Sequence, residues 1–283
     1  MDKVKDFYKD TPFNFSQDTE LYIESIKNSN QILEYIDLHK YLNNNFFNFN
    51  KYSINSVIEF GCGTGWLTNT ISYYYKKEVK AIDFTEKAIK KAEEVSRKLK
   101  SKAEFVLSDI FNYEDNKRYD LVISMGVLHH TYDCKKAFDK ISNFVKPGGL
   151  LYVGLYHLYG RKPMLKMLQS YAFWNGNEAA YNLFKMMNKD MKNNQHNFSW
   201  FRDQVLHPHE TQHTYEEVSK WYDSNSFDVI STSINNYKNF NKYKEKEIYE
   251  LEKKLENYSF GQNFESLKFT PGYFTICGRK KFE

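Results

Sequence analysis

From Ser56 onward, short apolar runs alternate with amphipathic stretches, the pattern of a parallel α/β sheet. It predicts strands over Val57–Phe60, Val79–Asp83, Ala103–Leu107, Leu121–Ser124 and Leu150–Leu155, a sixth near Phe227–Ser231, and a last over Tyr273–Cys277. Helical spacing predicts helices over Leu67–Tyr75, Glu86–Leu99 and Cys134–Val145. Pro147, Gly148 and Gly149 predict a turn just before the fifth strand. Upstream, Leu21, Ile26, Ile32, Leu33, Ile36 and Leu42 suggest two helices, and the Asn/Phe run Asn43–Asn50 reads as a loop. The regularity lapses from Tyr156 to His213 into helical, aromatic and amide-rich sequence, expected to form a cap. Thr214 and Glu217 have capping-box spacing and start a helix through Trp221. The charged stretch Lys242–Glu256 reads as a solvated helix.

The expected fold is a Rossmann-like, seven-stranded, mostly parallel sheet. Four segments follow: a helical N-terminal segment or lid (1–55), a cofactor-binding core (56–155), a cap after the fifth strand (156–213), and a C-terminal completion of the sheet (214–283).

Composition narrows the class. A net charge of +4 over 283 residues is mild for a dedicated nucleic-acid binder. Aromatics make up 18%, but Asn, Lys and Ile are abundant with them, which points to coding bias before an aromatic cofactor box. Three scattered cysteines, Cys62, Cys134 and Cys277, fit neither a disulfide framework nor a zinc ribbon. The charged N-terminus lacks a signal-peptide core, and no stretch reaches the ~18 apolar residues of a membrane span. The expectation is a soluble, cytoplasmic protein with no membrane partner; the oligomeric state is open.

The chemistry starts at IEFGCGTG, where a buried strand runs into a glycine turn and then a helix. Glycines there let the chain turn tightly and a ligand lie against the backbone. Asp83 closes the next strand, where an acid can accept bonds from both hydroxyls of a ribose. Asp109 closes the third, beside the same crevice. A dinucleotide is the rival ligand, but its loop needs G-x-G-x-x-G spacing, whereas this one is G-x-G-x-G. Glu59 just before the turn would also repel a pyrophosphate, while suiting an ammonium.

IEFGCGTG, AIDFTEKAI, FVLSDIF, YDLVISMGVLHH and VKPGGLLYVGLY resemble the successive motifs of class I S-adenosylmethionine (SAM)-dependent methyltransferases. The resemblance is close over Ser56–Tyr156 and loose beyond. It implies that Glu59, Gly61, Cys62, Gly63 and Gly65 cradle the methionyl part of SAM and that Asp83, with Phe84 beside it, holds the ribose. It further implies Asp109 and Ile110 at the adenine, Met125 near the sulfonium, and a last strand antiparallel to the rest.

Ser124–Val127 lacks the Asn/Asp-Pro-Pro-aromatic motif of amino-methylating nucleic-acid and glutamine enzymes. The LHH that follows resembles the ubiquinone/menaquinone methyltransferase group. The expected acceptor is therefore O, N or S of a small polar metabolite. A tRNA-modifying enzyme and a non-catalytic SAM binder are the alternatives.

His129 leaves the fourth strand at the edge where ligands bind and is a candidate base. The stretch Trp200–Thr214 adds Asp203, His207, His209, Glu210 and His213 as acid–base or acceptor-contacting candidates. Their alternative is a polar network locking cap to core. The spacing of His207, His209 and His213 could also hold a metal, but the expectation is none. Tyr8, Tyr156, Tyr159, Arg161, Trp200 and Arg202 are the expected acceptor-binding residues.

Overall fold

The computed structural model describes residues 2–9, 12–13, 18–27, 54–188, 194–237 and 245–282. The Asn43–Asn50 loop and the second upstream helix lie outside the described residues, as does most of the 1–55 segment. The N-terminal helices described are α1 (Asp2–Lys9) and α2 (Thr19–Lys27).

The sheet is built from β1 (Ser56–Phe60), β2 (Glu78–Asp83), β3 (Ala103–Leu107), β4 (Tyr119–Met125), β5 (Val145–Tyr156), β6 (Phe227–Thr232) and β7 (Tyr273–Lys280). Their order is β3-β2-β1-β4-β5-β7-β6. The first five are parallel, and β7 runs antiparallel to both β5 and β6. This is the Rossmann-like α/β fold the sequence predicts, with the reversed last strand in place.

β1 is buried along its whole length, which its apolar run permits only at the centre of a sheet covered on both faces. Alternation divides its side chains. Val57 joins Val79, Leu121 and Tyr152 under α3 (Trp66–Tyr75). Ile58 and Phe60 pack with Val122 and Leu151 beneath α5 (Cys134–Ser142) and α9 (Tyr215–Ser224). Between β2 and β3, α4 (Glu86–Leu99) turns Ala88, Ala92, Val95 and Leu99 inward at helical spacing.

Two local expectations are corrected. α5 stops at Ser142, so Val145 begins a strand instead of ending a helix. Pro147, Gly148 and Gly149 lie within the span of β5: its pairing with β4 jumps from Tyr119↔Val145 to Leu121↔Leu150, leaving four residues of β5 opposite one. Pro147 has no N–H to lose and Gly148 adopts φ +75°, so both suit the bulge.

After β5 come α6 (Leu158–Asn175), α7 (Asn177–Met187) and α8 (Asn194–Val205). Met164, Leu168, Ala180, Phe184, Trp200, Phe201 and Val205 form a small core of their own between these helices. The strand-like loop from α8 to α9 is pinned to the end of β5, with His213 donating from its backbone to Tyr156 and accepting from Leu158.

The charged stretch forms α10 (Glu245–Lys253), followed by α11 (Leu255–Phe260) and a π-helical turn, Gly261–Glu265. It is not uniformly wet. Glu252 is only 2% exposed and accepts from His157 Nε2 at 2.9 Å and from the backbone N–H of Tyr215 at 2.6 Å. An anion there faces the N-terminus of α9, where unpaired N–H groups favour it.

Candidate functional site

The carboxyl ends of β1, β2 and β4 open onto a single cavity of about 1630 Å³. Ligand pockets hold roughly 300–1,000 Å³, so this one exceeds the space of a single small ligand. At one end stand Glu59, Gly61, Cys62, Gly63, Asp83, Phe84, Asp109, Ile110 and Met125. Trp200, Asp203, Gln204 and His209 stand at the other, and Tyr8 and Tyr156 also line it.

The cradle follows from its glycines. Gly61 has φ +77°, and a Cβ there would lie 2.3 Å from Val127. Gly63 has φ +52° and nothing within 4 Å of where a Cβ would stand, so its missing side chain leaves cavity space. Gly65 belongs to a different surface and is a correction to the expected cradle. A Cβ on it would meet Ala92 at 2.6 Å and Phe105 at 2.9 Å, so it allows α3 to pack closely on α4 and β3.

Asp83 is buried; one carboxylate oxygen accepts from Gly63 N–H and the other from Thr85 N–H, both at 2.8 Å. The Thr85 side chain and the Phe84 backbone also bond this carboxylate, which fixes its position at the end of β2 in the cavity wall. Burial raises its pKa against the pull of those bonds. Glu59 is 4% exposed, accepts from the Thr68 hydroxyl, and has no ion-pair partner among the described residues. Burial pushes its carboxyl up to about 7. An uncompensated buried acid beside a glycine turn fits the ammonium of a methionyl group, and the residues present fit SAM.

In the wall formed by α8, Asp203 collects three donors: the Tyr8 hydroxyl, Tyr156 at 3.3 Å and Gln204 Nε2 at 2.9 Å. Burial raises its pKa, opposed by the Tyr8 bond.

The histidines part company with expectation. His129 is fully buried behind the cavity wall. Its Nδ1 accepts from Tyr156 N–H at 3.2 Å, and its ring stacks on Tyr156 at 4.0 Å. His130 lines the cavity in its place and donates from Nδ1 to the His209 carbonyl at 3.0 Å. His207 also sits off the wall, its ring 3.8 Å from that of His130, while Nδ1 accepts from His209 N–H at 3.2 Å. His213 bonds Thr211 and Glu217, outside the cavity. Burial lowers His130 and His207 to about 3 and His129 well below its ordinary value, so all three are neutral. Among the described residues no three His, Cys, Asp or Glu side chains are placed to hold a metal.

Arg161 and Glu210 are corrected too. Arg161 is fully buried and gives Nε and Nη2 to Glu210, each at 2.7 Å. Its other donors reach Gln204 and the Pro271 carbonyl. All five guanidinium donors are spent inside the protein, so none is left for an acceptor. Tyr159 lies off the cavity, against His157. Arg202 holds α1, bonding the Phe7 carbonyl at 3.1 Å and lying over the Phe7 ring.

Sequence reasoning passed over Tyr273 and Gln204 and preferred His129 to its neighbour His130. Tyr273 could have been found: an antiparallel last strand starts at the edge where the parallel strands end, so its first residue faces the ligand. It pairs with Tyr156, and its hydroxyl lies 3.9 Å from the Met125 sulfur. Gly154 makes room, since a Cβ there would stand 1.7 Å from that hydroxyl.

A methyltransferase-domain family model matches residues 53–224, more than half of the chain. The protein belongs to the methyltransferase-domain family. Malonyl-acyl-carrier-protein O-methyltransferase 2 of Ilyobacter polytropus is 30% identical over 41% of the chain and 43% of its own length. The mitochondrial ubiquinone biosynthesis O-methyltransferase of Dictyostelium discoideum is 28% identical over 35% of the chain and 34% of its own. The matches thus span less than half the length of these relatives. Magnesium protoporphyrin IX methyltransferase from Synechocystis PCC 6803, solved with bound SAM, shares the fold at a TM-score of 0.52 and 11% identity. That alignment covers 98% of this chain and 95% of the neighbour.

Proposed function

We propose that the protein transfers a methyl group from SAM to O, N or S of a small molecule seated between the cradle and α8. One observation carries this reading: the cofactor-type cradle and the Asp203 cluster share one cavity too large for a single ligand. Glu59, Gly61, Gly63 and Asp83 hold the cofactor, with Asp109 and Ile110 at its far end. SAM supplies an electrophilic methyl on a sulfonium that leaves as a neutral thioether. The chain's own work is positioning, exclusion of water, and accepting a proton where the nucleophile carries one.

Asp203 suits that last task better than His130. It stands in the cavity wall with its pKa raised by burial, whereas His130, at about 3, holds a proton poorly. His130 instead orients: with Nδ1 donating to His209, its Nε2 is an acceptor. Trp200 and Phe269 supply apolar walls for the acceptor's body.

Asp203→Asn tests the division of labour. S-adenosylhomocysteine should bind the variant as it binds wild type, while transfer of a labelled methyl group to fractionated small metabolites falls about 100-fold or more. Loss of cofactor binding in that variant, or undiminished transfer, would place the acceptor chemistry elsewhere.

A further inference from the structure

The turn between α6 and α7 presents an apolar surface that the proposed reaction does not use. Phe173 and Trp174 are 79% and 80% exposed, and Tyr171 is 38% exposed. Their position follows from the helix pattern. α6 commits Met164, Leu165 and Leu168 to the protein, which turns Lys162, Lys166, Ser170 and Trp174 outward at steps of four residues. Trp174 thus stands about 12 Å beyond Lys166 along one helix face. The turn protrudes: Asn175, Gly176, Asn177 and Glu178 are all exposed, and nothing lies within 4 Å of where a Cβ on Gly176 would be.

We propose that this turn docks the protein onto an anionic lipid surface. Amphipathic aromatic rings settle at headgroup depth, and cations behind them reach lipid phosphates. The surface charges of α6 and α7 are Lys162, Lys166 and Lys185 against Glu178, which complements an anionic bilayer. A narrow tip of three rings also lacks the roughly 1,200 Å² of total buried area of a stable protein interface. No helix of the described residues is long and apolar enough to cross a membrane. The expectation of no membrane partner rested on the lack of a spanning segment; contact from one side is a separate matter.

Vesicles of phosphatidylcholine, alone and mixed with phosphatidylglycerol, provide the probe. Wild type should sediment with the mixed vesicles more strongly than with the neutral ones, and Phe173→Ser/Trp174→Ser should weaken this at least about tenfold. Lys162→Glu/Lys166→Glu should erase the preference for anionic vesicles. Trp200 and Trp221 are buried and Trp66 is part-buried in the cavity wall, so Trp174→Phe should keep binding while losing most of the lipid-induced fluorescence shift. Unchanged thermal unfolding and S-adenosylhomocysteine binding establish that each variant is folded. Failure of wild type to bind mixed vesicles, or equal binding by the serine variant, overturns the proposal. Concentration-dependent dimerisation abolished by the serine variant, without vesicle binding, overturns it in favour of a second copy of the chain.

Discussion

Tyr8 and Asp203 lie 195 residues apart in sequence and are joined by a hydrogen bond in which the phenol donates to the carboxylate. The same Tyr8 ring stands edge-on to Phe84, with centroids 6.4 Å apart. α1 therefore bridges the end of β2 and helix α8 across the cavity. Tyr8→Phe removes the bond and keeps the ring contact; Tyr8→Ala removes both. Loss of one hydrogen bond is worth about 1 kcal/mol. S-adenosylhomocysteine should thus leave Tyr8→Phe a few-fold faster than wild type, and Tyr8→Ala faster again. Stopped-flow displacement measures this, and identical rates in all three proteins would show that α1 does not restrain the ligand.

Glu59 gives cofactor binding a pH dependence. Burial raises its carboxyl to about 7, with the Thr68 bond pulling the other way. The ammonium of the ligand prefers the ionised form, so binding below about pH 7 must release a proton. Affinity should then climb from about pH 6 to pH 7, by up to about tenfold per unit, and level off by about pH 8. Calorimetry in two buffers of different ionisation enthalpy reads the proton directly. Glu59→Gln should bind more weakly and without this slope; a flat wild-type profile would sink the assignment.

The fold was legible in the sequence wherever burial imposes a pattern. β1 reads as an apolar run because both its faces are covered, and α4 reads at helical spacing because one face is. The glycine turn was legible for a related reason: positive φ favours glycine at Gly61 and Gly63, and Asp83 closes a strand. The α8 end of the cavity was not. Asp203, His207, His209, Glu210 and His213 are alike in a sequence, since any polar side chain at a helix end or on a loop can face ligand or protein. The partners decide, and those are remote. Arg161 is saturated by Glu210, Gln204 and Pro271, the last 110 residues away. Glu252 looked solvated in a charged run until His157 and the N-terminus of α9 met it.

Gly63 and Gly65 should respond differently to the same change. Both have positive φ, where alanine costs about 1–2 kcal/mol. At Gly63 the new methyl enters open cavity space, so Gly63→Ala should keep most of its stability and lose cofactor affinity. At Gly65 it meets Ala92 and Phe105, adding an overpacking penalty of about 1–3 kcal/mol. Gly65→Ala should therefore melt earlier than Gly63→Ala. Paired thermal unfolding and calorimetry check this, and the reverse order of melting would contradict the two glycine environments.

The buried histidines tie stability to acid. Burial lowers His130 and His207 to about 3 and His129 well below its usual value; in the unfolded chain each titrates near 6.5. Between those limits the unfolded state binds protons that the native state refuses, so each histidine withdraws stability as pH falls below about 6.5, at about 1.4 kcal/mol per unit. Glu59, Asp83 and Asp203, raised by burial, act in the opposite sense by keeping protons in the native state. The net slope mixes both, but a single-site variant isolates one part. His207→Phe keeps an aromatic ring beside His130, Phe7 and Tyr8 and removes one titrating imidazole. Urea denaturation across about pH 5 to pH 6.5 should show that its stability falls less steeply on acidification than that of wild type, by about 1.4 kcal/mol per unit. Parallel pH profiles for the two proteins would mean that His207 accepts its proton in the folded state, and the neutral cluster would have to be abandoned.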